Sequence, residues 1–114
     1  MRALYLAFLN SWRGLVHGAR TERAIRLELL LAAVGLPAAM MLGTGLWVRV
    51  ALLASLILML AAEFLNTAIE KLCDHLHPDR HVRIGVVKDL ASAGAFFAQV
   101  LAALVWLAAV IDRF

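Results

Sequence analysis

Glu63, Asn66, Glu70 and Asp74 stand within three helical turns of a segment otherwise written for lipid, directly after the uncharged run "ALLASLILMLA". At 100° per residue the four side chains fall within an arc of about 80°, so a helix would carry them as one stripe. Lys71 borders that stripe, and Phe64, Leu65, Ala68, Ile69 and Leu72 fill the other sides. A carboxylate in hydrocarbon is costly and marks a functional site by default. Such a group can accept a proton from a hydroxyl or help to hold a hard divalent cation. The stripe runs from apolar toward polar sequence, as a site joining a lipid hydroxyl to a soluble reagent requires. Plainer readings exist for parts of it: Asn66 as a hydrogen bond between helices, Glu70 and Asp74 as a solvated helix end. Glu63 resists them, because two apolar turns precede it and no Lys or Arg shares its stripe.

Other charged residues flank the apolar runs. Glu22 and Arg26 form an i,i+4 pair, which as a surface ion pair alone would mean little. Lys88 and Asp89 precede "LASAGA", whose small residues permit close helix approach, with Ser92 one turn from Asp89. His75, His77 and His81 lack a companion pair of Cys ligands and read as loop residues rather than a zinc site. The phosphate-binding loop G-x-x-x-x-G-K-[ST] and the protein-kinase signatures are absent. The single cysteine, Cys73, excludes an internal disulfide and reads as a small apolar filler.

The elements that must position these groups are helices in a bilayer. The chain has 114 residues, 64% of them hydrophobic, well above the share typical of soluble domains. It is short enough for one domain, residues 1–114. Three apolar spans are expected: about 29–47 (through Gly35 and Pro37), 48–70, and 90–111, the last being 22 residues without a charge. Residues 1–26 are too polar to span. Asn10, Arg13, His17 and Arg20 share one side of a helix, opposite Phe8, Trp12, Leu15 and Val16, which predicts an interfacial helix with Trp12 near the headgroups. The net charge of +3 could suggest nucleic acid, but the basic residues sit beside apolar runs and fit a membrane instead. Nine of the eleven Lys and Arg residues lie before the first span or between the second and third; only Arg49 and Arg113 lie on the other side. That asymmetry places the N-terminus and the 71–89 segment in the cytoplasm. The first residues also lack the ordered basic run, apolar core and cleavage site of a signal peptide.

Four stretches together resemble the small bacterial membrane diacylglycerol kinase family: "SWRGL" (Ser11 to Leu15), "TERAIRLE" (Thr21 to Glu28), "EFLNTAIEKLCD" (Glu63 to Asp74) and "KDLASA" (Lys88 to Ala93). The pattern E-x-x-N-[ST]-A-I-E-x-x-x-D is specific, and the likeness covers nearly the whole chain. The resemblance implies an all-α membrane protein, one surface helix and three transmembrane helices per chain, assembled as homotrimers in the bacterial inner membrane with sites shared between subunits. It implies transfer of the γ-phosphoryl group of ATP to the hydroxyl of diacylglycerol, giving phosphatidic acid, with Mg²⁺ as cofactor. Glu63 then matches the general base, and Glu22 and Glu70 the carboxylates that hold the metal. Asn10, Asp79, Arg80, His81, Lys88 and Asp89 fall on the nucleotide site together with those two carboxylates. Ser11, Trp12, Arg26, Glu28, Asn66 and Ser92 join Glu63 on the lipid-facing surface of the site. Leu27, Asn10 and Ala3 depart from residues common in the family. "ARTER" is similar to a branch that phosphorylates undecaprenol, whereas "RLE" and "KDLASA" are closer to the diacylglycerol branch.

Elementary chemistry agrees with that expectation. Phosphoryl transfer needs charge neutralisation and alignment more than covalent help, and Mg²⁺ is usually held by one or two carboxylates plus substrate phosphates. Lys88 can supply the cation that a loop lysine supplies elsewhere. Two other classes compete. A small proton-coupled transporter would explain Glu63 but not Glu22, Glu70, Lys88 and Asp89, and a purely structural subunit would leave the acidic stripe as an unexplained cost. Because only two other spans exist and both are mainly apolar, one chain is expected to leave the stripe partly uncovered, so that self-association turns it inward and Glu22 reaches a neighbour's stripe.

Overall fold

The computed structural model describes residues 1–76 and 82–114. Among them are four helices: α1 (Arg2–Thr21), α2 (Arg23–Leu42), α3 (Leu46–Leu76) and α4 (Val82–Arg113). The last three are long and apolar enough to cross a membrane. At 1.5 Å per residue, α2 with its 20 residues extends about 30 Å, one hydrocarbon thickness, while the 31 residues of α3 extend about 46 Å and must project beyond it.

The break between α1 and α2 is a single residue. Glu22 adopts an extended conformation with φ −119° and ψ 118°. Its N–H still donates to the Gly18 carbonyl at 2.9 Å, and its carbonyl accepts from Arg26 N–H at 3.1 Å. The Arg26 guanidinium Nη1 donates to the carbonyls of Ala19 and Arg20 at 3.2 and 3.0 Å, satisfying groups that the end of α1 would leave open. The surface helix therefore ends at Thr21 rather than at residue 26, and residues 23–26 already belong to the first apolar helix. Gly18 faces inward here: a Cβ on it would meet the Phe64 ring at 2.8 Å and Ile25 Cδ1 at 2.9 Å. That contact brings α1 against both α2 and α3.

α2 stays helical through Pro37, which leaves the Ala33 carbonyl without its usual donor. α3 is the central element, packed antiparallel against α2 on one side and α4 on the other. Ala39, Leu52 and Ala109 form one buried layer, and Leu56, Met59 and Ala102 form the next. Gly35 lies against Leu56, where a Cβ would come within 2.5 Å of Cδ1. The buried residues of α4 are all alanines, at 95, 98, 102 and 109, a small-residue seam that lets the two longest helices approach closely. Trp106 joins the layers. Its indole N–H donates to the Leu52 carbonyl and to Ser55 Oγ, both at 3.2 Å, and the Ser55 hydroxyl donates to the same carbonyl at 2.7 Å. Side chains such as Leu30, Leu31, Met41, Ile57, Phe97 and Leu104 remain outward and exposed, as lipid-facing residues should.

Candidate active site

The antiparallel register that sets Ala39 against Leu52 and Gly35 against Leu56 continues down the bundle and sets Glu28 of α2 against Glu63 of α3. Both are buried, at 6% and 8% exposure, and so is Asn66 at 9%. The Glu28 and Glu63 carboxyls lie close enough to act on each other, and Glu63 also feels the charges of Glu70 and Glu22. Two carboxylates so placed in an apolar layer repel unless a proton or cation lies between them. Among the described residues, neither oxygen of Glu28 finds a hydrogen-bond donor, and Asn66 Oδ1 is likewise unpartnered. The Asn66 amide turns instead toward Glu70 Oε1, at 3.5 Å one turn further along α3. Buried polar atoms are normally satisfied, so these three oxygens stand out in the bundle.

The stripe opens toward the chain's charged end. Glu70 is half-buried and Asp74 exposed. Glu22 Oε1 accepts from Lys71 Nζ at 2.8 Å, and Asp74 Oδ1 accepts from Lys88 Nζ at 2.8 Å. These two ion pairs tie the α1–α2 corner and the start of α4 to the same end of α3. Lys88 also lies within electrostatic reach of Glu70. Glu22 does not pair with Arg26 as a helical i,i+4 spacing predicts. The extended Glu22 backbone removes that geometry, and Arg26 is engaged with carbonyls of α1.

The stripe is partly uncovered, as expected, and the covered part is its inner half: one chain alone buries Glu63 and Asn66. Glu22 also reaches the border of its own chain's stripe, through Lys71. The outer half, Glu70 and Asp74, is not sealed. Asp89 and Ser92 are exposed on α4. On α1, Asn10 Oδ1 accepts from Arg13 Nη2 at 2.6 Å, the Ser11 hydroxyl donates to the Ala7 carbonyl at 2.9 Å, and Trp12 is 56% exposed. None of these α1 groups bonds to the stripe in one chain. Asp79, Arg80 and His81 lie outside the described residues. Lys71 carries more than its sequence position suggested, since helix geometry alone could place it beside the stripe but not against Glu22. The Glu28–Glu63 juxtaposition was equally hidden, because it depends on the register between two helices.

Two carboxylates at the open end, Glu22 and Glu70, form a hard oxygen set with room for further ligands, which suits Mg²⁺ held jointly with phosphate oxygens. Among the described residues no group of three His, Cys, Asp or Glu side chains forms a closed metal cage.

Residues 9–110 match the sequence profile of prokaryotic diacylglycerol kinase. The chain belongs to that family. A protein of Haemophilus influenzae named diacylglycerol kinase is 33% identical over 96 residues, 84% of this chain and 81% of that one. The protein of the same name from Escherichia coli is 32% identical over 84% of this chain and 79% of its own, and that of Pseudomonas aeruginosa is 33% identical over 84% and 78%. The chain is thus a lipid kinase, a membrane-embedded transferase, and its three long apolar helices agree with that class.

Proposed function

We propose that the protein transfers the γ-phosphoryl group of ATP to the free hydroxyl of diacylglycerol, giving phosphatidic acid. The observation that carries this reading is the buried Glu63, paired with Glu28 inside an apolar helix bundle and continuous with an open, charged end at Glu22, Glu70 and Lys88. The diacylglycerol hydroxyl enters from lipid and donates its proton to Glu63. The Glu28 carboxyl opposite holds that side chain in place and gives the proton a second oxygen to bridge to. Asn66, buried on the same stripe with its amide turned toward Glu70, lines the acceptor's side of the site. At the open end Glu22 and Glu70 would hold Mg²⁺, and the ion would supply the charge neutralisation that phosphoryl transfer needs. Lys88 and Asp89, with Asn10 and the 79–81 segment, border the nucleotide, while Ser11, Trp12, Arg26 and Ser92 border the lipid.

The charge asymmetry supports a bacterial inner-membrane protein with its N-terminus and ATP site in the cytoplasm. The unsealed outer stripe supports a homotrimer in which a neighbouring chain completes each site. The deciding experiment incubates purified protein with Mg²⁺ and labelled ATP in mixed micelles containing diacylglycerol or undecaprenol at equal mole fraction. Faster labelling of diacylglycerol is expected. A preference for undecaprenol would move the protein to the other branch of its family, and labelling of neither lipid would overturn the reading.

A further inference from the structure

α1 has a feature the catalytic stripe does not use. It contains no carboxylate, and its Arg13, His17 and Arg20 fall within an arc of about 60° on the exposed side. Beside them a notch of about 290 Å³ is lined by Trp12, Arg13, Val16, His17 and Arg20. Arg13 is steadied in it by Asn10 Oδ1 at 2.6 Å and by the Leu9 carbonyl at 3.5 Å. The nearest acid in sequence, Glu22, is occupied by Lys71. Among the described residues none of the three basic side chains meets a carboxylate.

The notch is also two-sided. Its basic wall faces one way, while Trp12 and Val16 continue into an apolar stripe whose Leu4 and Phe8 are 69% and 66% exposed. We propose that this notch binds the phosphate of an anionic phospholipid in the leaflet on which α1 lies. The guanidinium groups donate to the phosphate oxygens, His17 adds a ring N–H, and the glycerol and first acyl carbons rest on Val16, beside the Trp12 that borders the substrate lipid. A soluble polyphosphate would use the basic wall alone and leave the apolar one bare, so the shape favours a ligand with a tail. Bound lipid would fix the depth and rotation of α1, and through the Gly18 contact the corner that carries Glu22.

The test is native mass spectrometry of the full-length protein in micelles containing phosphatidylglycerol and phosphatidylcholine at equal mole fraction. Phosphatidylglycerol should be retained roughly tenfold over phosphatidylcholine, as expected for two arginines at an anionic surface. The preference should shrink with added salt. It should fall below about twofold in the combined variant Arg13→Gln, His17→Gln, Arg20→Gln, and persist in Arg49→Gln at the opposite end. A photoactivatable phosphatidylglycerol should label residues 12–20 of the unmodified protein, which decides the matter even if the combined variant fails to fold. Equal retention of the two lipids, a preference that survives the combined variant, or labelling on another helix would each overturn the proposal. Displacement of the lipid by ATP would reassign the notch to a soluble phosphate.

Discussion

Glu63 sits where solvent water is scarce and a second carboxyl is close, which gives a sharp expectation for its amide. Glu63→Gln keeps shape and hydrogen-bonding capacity but cannot accept the proton. It should leave assembly and nucleotide affinity intact and lower kcat at least ~100-fold, the scale of a lost general base. Steady-state kinetics beside a nucleotide-binding measurement checks this, and near-normal turnover would remove the base assignment. At the other end of the stripe, Glu22→Ala and Glu70→Ala should each raise the Mg²⁺ concentration for half-maximal activity, because each deletes a ligand from a weakly held ion. Lys71 acts in the opposite sense. Its ammonium competes for the Glu22 carboxylate at 2.8 Å, and a half-exposed pair of this kind is worth up to about 1 kcal/mol. Lys71→Ala should therefore lower the half-activating Mg²⁺ concentration by roughly two- to fivefold. A Mg²⁺ titration of all three variants reads both directions at once.

The helices show which parts of the structure were legible in the sequence. The polar arc on α3 follows from 3.6-residue geometry, and the apolar lengths predict three membrane-crossing elements. Helix ends were less legible. The break at Glu22 leaves no proline or glycine signature, and it is held by Arg26 bonding back to carbonyls rather than by a side-chain cap. The Ser55–Trp106 connection was invisible, since a serine in an apolar run and a tryptophan 51 positions later share no local pattern. Trp106→Phe tests its weight. The change keeps most of the packing but takes the indole donor from Ser55 Oγ and from a Leu52 carbonyl that retains the Ser55 hydroxyl, and should destabilise the bundle by about 1 kcal/mol. Equilibrium unfolding in mixed detergent measures it, and an unchanged midpoint would make the indole a packing group only.

At the scale of the whole molecule, one chain covers the inner half of its stripe and leaves the outer half open. Sequence reasoning gave a partly covered stripe but not which part, because it could not align α2 with α3. The expectation that survives is that a neighbour completes the outer half. Glu22→Ala and Glu63→Gln chains, assayed at a Mg²⁺ concentration too low for Glu22→Ala to turn over alone, should recover part of the activity when unfolded and refolded together in detergent. Some mixed oligomers then hold one site with both residues intact. No recovery at any ratio, with mixed oligomers confirmed by tagged pull-down, would mean that each chain contains its own complete site.

α3 is a continuous rod about 46 Å long against a hydrocarbon layer of about 30 Å, and the proposed reaction needs its acidic stripe at the boundary. In that reaction a lipid acceptor never has to leave the bilayer, and ATP never has to enter it. The encounter between enzyme and acceptor takes place in two dimensions. Diluting the whole suspension with buffer leaves that encounter untouched, whereas adding inert lipid or detergent thins the acceptor within the surface and slows the reaction. For this protein, a substrate concentration is a fraction of a surface rather than an amount per litre.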